Sequence, residues 1–163
     1  MSKTIYFIRH AKSSWDHYDL KDIERPLNAR GLRDAPRMAG YLKELGVQVD
    51  AIVASPAKRA QLTADFFQDT LNIEDRHEDD RIYEAWGNAL FEVVQSISDD
   101  YDVVLLFGHN PAFTNIANQF SDEFIANIPT CGICKIVCQI DKWKDFDTKT
   151  GRLAAFYYPK MFK

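Results

Sequence analysis

Histidine is scarce in this 163-residue chain, with four copies in all, and two of them directly follow short apolar runs. The first run, Thr4 to Arg9, leads into Arg9-His10-Ala11-Lys12-Ser13, and the second, Asp102 to Phe107, leads into Gly108-His109-Asn110-Pro111. A third run, Ala51 to Ala54, is followed by Ser55-Pro56-Ala57-Lys58-Arg59. Singly, none of these is informative, because a lone histidine is more often a satisfied core or loop residue and a lone arginine is more often solvated. Together they set two imidazoles and two guanidiniums, groups suited to phosphate-type anions, at the ends of three separate runs. His17 and His77 lie in polar stretches without such placement and read as surface residues.

Such a set needs a scaffold that brings the three ends together. In an open α/β sheet, ligands bind beyond the carboxyl ends of the strands, where helix N-termini favour anions. The chain alternates apolar runs with helical periodicity, the pattern of βαβ units. It predicts an α/β fold: a single three-layer α/β/α domain over residues 1–163 with a mostly parallel central sheet. Thr4 to Arg9 reads as the first strand. Asn28 caps a helix ending near Leu45, with Leu32, Ala35, Met38, Ala39 and Leu42 on one face and Gly46 as the stop; Pro36 should kink it or mark a second start.

Ala51 to Ala54 is the second strand, and Ser55 then caps a helix with Pro56 in its first turn, running to about Leu71. A brief extended piece surrounds Arg81 to Tyr83, and Asn88 to Ile97 reads as a helix. Asp102 to Phe107 reads as a strand buried on both faces, and Pro111 begins a helix to about Phe120. Cys131 to Ile140 and Arg152 to Tyr158 read as strands that pair across Asp141 to Gly151, which would make the sheet mixed. The pattern leaves strand order open.

Composition excludes several classes. The 20 basic residues against 24 acidic ones give a net charge of -4, which offers no basic face for nucleic acid. The acidic run Glu74 to Asp80 reads as a solvated loop rather than a docking surface. The apolar stretch near the N-terminus is too short for a signal segment, and no uncharged run is long enough to span a bilayer, so a cytoplasmic protein is expected. Cys131, Cys134 and Cys138 are no disulfide framework. On a strand Cys134 and Cys138 would share a face, and with no histidine nearby to complete a zinc set they read as buried structural thiols. No metal site and no cofactor is expected.

The segments Ile8 to Ser13, Ser55 to Ala60 and Gly108 to Asn110 resemble the three signature blocks of the histidine phosphatase superfamily, in its phosphoglycerate-mutase-like branch. Pro26-Leu27-Asn28-Ala29-Arg30-Gly31-Leu32-Arg33-Asp34-Ala35-Pro36 is similar to the short SixA-type phosphohistidine phosphatases in particular. The resemblance covers nearly the whole chain. It implies that His10 is the phospho-accepting nucleophile, that Arg9 and Arg59 clamp the phosphoryl oxygens, and that His109 completes the pocket. A neutral imidazole is a competent nucleophile near neutral pH, and two guanidinium forks with a second imidazole can stabilise the equatorial oxygens without a metal.

The chain departs from the family pattern at Ala11 and Lys12, where many relatives have Gly and then Glu or Gln, and at Asp16, where relatives often have Asn. Lys12 is either an extra contact to an anionic substrate or a solvated loop residue. Ser13, Asn28 and Asn110 are further candidates for substrate contact, although Asn28 reads more readily as a helix cap. Glu84, in Arg81-Ile-Tyr-Glu-Ala-Trp-Gly87, matches the family's general acid but could equally be an exposed carboxylate. An alkoxide leaving group nearly requires such an acid, whereas a phosphoimidazole protonated on its other nitrogen departs as neutral imidazole.

The first reading is therefore a phosphatase acting on phosphohistidine in a phosphorelay or phosphotransfer protein, since little sequence remains for a lid over a small metabolite. The others are a small-molecule phosphomonoesterase or mutase, favoured if Glu84 proves catalytic and if Trp15 to Glu24 folds over the pocket, and a non-catalytic phosphoprotein-binding module. Partner identity and oligomeric state are not encoded in these motifs. Trp15, Trp86 and Trp143 are expected in the core.

Overall fold

The structure, a computed structural model, describes residues 1–162. Six strands, β1 (Lys3–Arg9), β2 (Ala51–Ala54), β3 (Asp75–Glu78), β4 (Val103–Gly108), β5 (Ile133–Cys138) and β6 (Gly151–Tyr157), form one sheet in the order β3-β2-β4-β1-β5-β6. β3, β2, β4 and β1 pair in parallel, and β5 runs antiparallel to both β1 and β6. The sheet is thus mixed through the late hairpin.

The helices α1 (Ala29–Glu44), α2 (Lys58–Leu71), α3 (Ala89–Gln95) and α4 (Ala112–Gln119) cover both faces. Alternation along the strands sends Ile5, Phe7, Val104 and Leu106 toward α3 and α4, and Tyr6, Ile8, Leu105 and Phe107 toward α1 and α2. This two-sided burial is why β1 and β4 are continuous apolar runs.

Several expectations need correction. Leu32 is 52% exposed, and the buried stripe of α1 is Gly31, Asp34, Ala35, Met38, Ala39 and Leu42. Gly31 takes the inward place because it packs on the backbone of Lys12. Pro36 neither breaks nor restarts α1; it lies on the exposed side, where water can serve the carbonyl its ring leaves unpaired. α2 is capped at Ala57, not Ser55, and Ser55 is fully buried. Arg81 to Tyr83 is not extended: Asp80–Ile82 is a 3-10 turn.

β3 was expected as loop. It is a polar strand at the sheet edge with a single partner, so its charges stay in solvent and it carries no apolar alternation to announce it. Trp143 is fully buried, its indole N–H donating to the Tyr101 carbonyl at 2.8 Å. Trp15 and Trp86 are 70% and 86% exposed instead of core. The three cysteines are free and buried, with Cys134 and Cys138 on one face of the sheet and Cys131 on the other, and burial pushes all three thiols up. No described helix is long and apolar enough to cross a membrane.

Candidate active site

Three parallel strands deliver the candidate residues to one end of the sheet. β1 ends at Arg9 and passes directly into His10, whose backbone N–H donates to the Gly108 carbonyl at the end of β4, 3.0 Å away. Ala11 N–H donates to the Thr63 hydroxyl at 2.9 Å, and that hydroxyl donates to the Arg59 carbonyl at 2.8 Å, so the His10 loop and the first turn of α2 are locked together. His109 follows β4, and its ring centroid lies 5.2 Å from that of His10. His10, Arg59 and His109 are 7%, 6% and 8% exposed. They form the buried floor of one site, with Arg9 beside them.

Hydrogen bonding fixes which nitrogen of each imidazole is free. His10 Nδ1 lies 2.8 Å from the Ala11 carbonyl oxygen, which can only accept, so Nδ1 carries the proton and Nε2 holds the lone pair. His109 Nε2 is 2.8 Å from the Ser55 hydroxyl, which also accepts the Ala57 N–H at 3.2 Å. The Ser55 proton has no other acceptor among the described residues, so it goes to Nε2 and leaves His109 Nδ1 as an N–H donor.

Both imidazoles are held neutral. Burial is the main cause, pushing His10 down to about 3 despite its bond to Ala11, with the charges of Arg59 and Arg9 adding to the effect. Burial and then the charge of Arg59 push His109 down to about 4, although Asp22 opposes this. Burial lowers Arg9 as well; its Nη1 donates to the Ile128 carbonyl at 2.8 Å.

Four buried side-chain polar atoms among the described residues make no hydrogen bond: Arg9 Nε, Arg59 Nε, His109 Nδ1 and Asp34 Oδ2. Asp34 has an ion pair with Arg30 at 3.5 Å on α1. The other three are N–H donors on the residues around His10. Buried donors are almost always paired, so three stranded donors beside one neutral imidazole suit an anion with several acceptor oxygens.

The remaining candidates are placed differently. The Ser13 hydroxyl accepts from Arg25 Nη1 at 2.8 Å and so holds a side chain rather than standing free. Asn28 caps α1, its side chain accepting the Gly31 N–H at 3.0 Å. Asn110 Nδ2 donates to Asn127 Oδ1 and the Ile128 carbonyl, and its Oδ1 accepts from the Thr114 N–H and hydroxyl. The Asn110 amide is thus occupied at both ends, while Asn28 spends its side-chain oxygen on the helix cap. Lys12 is partly buried and its side chain makes no hydrogen bond or ion pair among the described residues. Glu84 is exposed, equally without a side-chain partner, and its φ is 56°.

Its neighbour Tyr83 is the residue that reaches the site, packing edge-on to His109 at 5.6 Å and donating its hydroxyl to Asp22 Oδ2 at 2.7 Å. Asp22 Oδ2 also accepts from Arg59 Nη2 at 3.1 Å, its carbonyl accepts from Arg59 Nη1 at 2.8 Å, and Oδ1 accepts from Arg25 Nε at 3.1 Å. Asp22, Arg25, Tyr83 and the buried face of Ser55 were not found by sequence reasoning. Arg25 directly precedes the Pro26 to Pro36 stretch, so that stretch read one residue longer would have contained it; Asp22 lies within Trp15 to Glu24 and Tyr83 directly precedes Glu84, but neither is singled out by its own type or spacing.

A model of the histidine phosphatase superfamily (branch 1) matches residues 5–105. An uncharacterized protein of Mycobacterium leprae is 26% identical over 167 residues, covering 94% of this chain and all of that one. Among solved structures, the protein histidine phosphatase SixA complexed with tungstate is similar with a TM-score of 0.81 at 21% identity, covering 98% of this chain and 99% of that one. Mycobacterial glucosyl-3-phosphoglycerate phosphatase shares the fold at a TM-score of 0.67 and 13% identity, over 95% of this chain and 98% of that one.

Proposed function

Because the chain belongs to the histidine phosphatase superfamily, we propose that it is a metal-independent phosphatase that carries the phosphoryl group on His10 Nε2, and that its substrate is phosphohistidine on a phosphorelay or phosphotransfer protein. The observation that carries this reading is the trio of buried, unserved N–H donors on Arg9, Arg59 and His109 around a histidine whose Nε2 lone pair is free. Phosphoryl transfer needs in-line positioning and donors aimed at the equatorial oxygens, and these groups offer both without reorganisation. Burial keeps His10 unprotonated at neutral pH, so the nucleophile needs no base. Attack forms the P–Nε2 bond as the bond from phosphorus to the leaving group breaks, its electron pair leaving with that group, and yields a phosphoimidazolium with its Nδ1–H still bonded to Ala11. Water then takes the phosphoryl group and His10 returns to neutrality.

The substrate class rests on the leaving group. Glu84, the matching acid, is exposed and pairs with nothing, which suits a substrate whose leaving group departs neutral more than one that departs as alkoxide. The likeness to a SixA structure holding tungstate, a tetrahedral oxyanion, supports the same reading. The small-molecule alternative has in its favour the shared fold of a sugar-phosphate phosphatase and the reach of Asp22, within Trp15 to Glu24, to Arg59, and a pure binding module is disfavoured because the nucleophile is present and unprotonated. Phosphate release from a phosphohistidine peptide and from 4-nitrophenyl phosphate, each with chelator present, tests the proposal. Release by wild type that vanishes in His10→Ala is expected on both, with the peptide preferred. Equal turnover by His10→Ala would overturn the mechanism.

A further inference from the structure

Asp22 stands in the segment between His10 and α1, on a 3-10 turn spanning Asp22–Glu24. Its side chain is 48% accessible, whereas that of Arg59, to which it is paired, is 7% accessible. The carboxylate therefore lies at the outer edge of a site whose floor is buried. In-line transfer sets the leaving group opposite the nucleophile. With His10 in the floor, the leaving group points outward, toward the carboxylate.

The carboxylate has room for a further donor. Oδ2 already accepts from Arg59 Nη2 and the Tyr83 hydroxyl, but Oδ1 accepts only from Arg25 Nε. A carboxylate oxygen accepts about two hydrogen bonds, so Oδ1 keeps one place. It is not a proton donor: partial burial alone would raise Asp22, but the hydrogen bond from Tyr83, the charge of Arg59 and the hydrogen bonds from Arg25 and Arg59 outweigh it and bring it to about 2. Its open place can accept but not donate, so it offers a departing alkoxide no proton. It favours a leaving group that carries an N–H.

We infer that Asp22 selects phosphoramidate over phosphoester substrates, its carboxylate accepting a hydrogen bond from the distal N–H of the departing imidazole. This rests on the proposed phosphatase reading and deepens it. The substrate imidazole, protonated on its distal nitrogen and phosphorylated on the other, is held in that cationic form. The P–N bond then breaks with its electron pair returning to the substrate nitrogen, the P–N bond to His10 Nε2 forms, and a neutral imidazole leaves with its N–H intact. No proton is transferred in this step, which is why Glu84 is dispensable to it.

The test is Asp22→Asn, which keeps the shape and one acceptor oxygen but removes the charge, assayed on a synthetic peptide phosphorylated on a single histidine and on 4-nitrophenyl phosphate. The expected result is a fall in kcat/KM of about 30- to 100-fold on the peptide and under about 5-fold on the aryl ester, matching the loss of one charge-assisted hydrogen bond. Asp22→Glu should recover part of the peptide rate and Asp22→Gln should not, a second pair that holds if Asn destabilises the turn. Equal losses on both substrates, or no loss on the peptide, would sink the selection while leaving the phosphatase intact. Absence of His10-dependent release from the peptide by wild type would instead overturn the phosphohistidine reading, and this inference with it.

Discussion

Acid should unfold this protein through its two pocket imidazoles. Burial holds His10 near 3 and His109 near 4 in the folded state, whereas an unfolded histidine titrates near ~6.5. Both folded values are depressed, so below about pH 6.5 the unfolded chain takes up protons that the folded one refuses. The stability these groups permit is complete above that pH and is lost as pH falls toward the folded values. Each group contributes a slope of about 1.4 kcal/mol per pH unit inside its window, so the pair takes away on the order of 5 kcal/mol between pH 6.5 and 4.5. That is a large part of a typical domain's ~5–15 kcal/mol. Asp22, held near 2, loses its contribution only below about pH 4 and does not interfere. Urea midpoints measured from pH 7 to 4.5 in phosphate-free buffer should fall steeply for wild type and about half as steeply for His10→Gln and for His109→Gln, whatever their stability at pH 7. Three parallel pH dependences would refute the account of why these imidazoles stay neutral.

Other substitutions probe the supports. Ser55→Ala strands His109 Nε2 and the Ala57 N–H; thermal denaturation should show a loss of about 1–3 kcal/mol, and kcat should fall about tenfold as the His109 tautomer is released. Arg59→Lys cannot bond both the carbonyl and Oδ2 of Asp22 and still present a lateral N–H. It should lower kcat/KM by about 10²- to 10³-fold in a phosphate-release assay. Gly31→Ala drives a Cβ into the Lys12 carbonyl and should cost about 1–3 kcal/mol by urea denaturation while lowering kcat. Gly40→Ala, with nothing near its Cβ in the same helix, should instead stabilise by about 0.5–1 kcal/mol.

What the sequence made legible is the part of the site whose chemistry and position are encoded together. His10 and His109 were visible because β1 and β4 are buried on both faces and so are written as apolar runs that end at them. Arg59 followed from the same geometry at β2. The supporting shell has no such signature. Asp22 and Arg25 sit in an aperiodic loop, and Tyr83 directly follows a 3-10 turn; they meet only because the fold closes a gap of 61 residues between Asp22 and Tyr83. Trp15 misled for a related reason: hydrophobicity argued for the core, but the ring stays at the surface with the Arg25 guanidinium 3.6 Å above it, a cation–π contact that composition does not encode.

The division has a chemical consequence. On the proposed reading, strand-end residues supply the nucleophile and the donors for the phosphoryl oxygens, and a sequence can declare them. The outer edge decides which leaving group is accepted. On the inference above that edge is built by Asp22, whose carboxylate is held by Arg59, Tyr83 and Arg25, so the group that steadies the clamp also faces the departing group. Moving the carboxylate turns Arg59 as well, whereas Asp22→Asn leaves an oxygen in place for Arg59 to bond and removes only the charge. Selectivity and phosphoryl binding in this protein should therefore shift together when Asp22 is moved by a methylene, and separate when only its charge is removed.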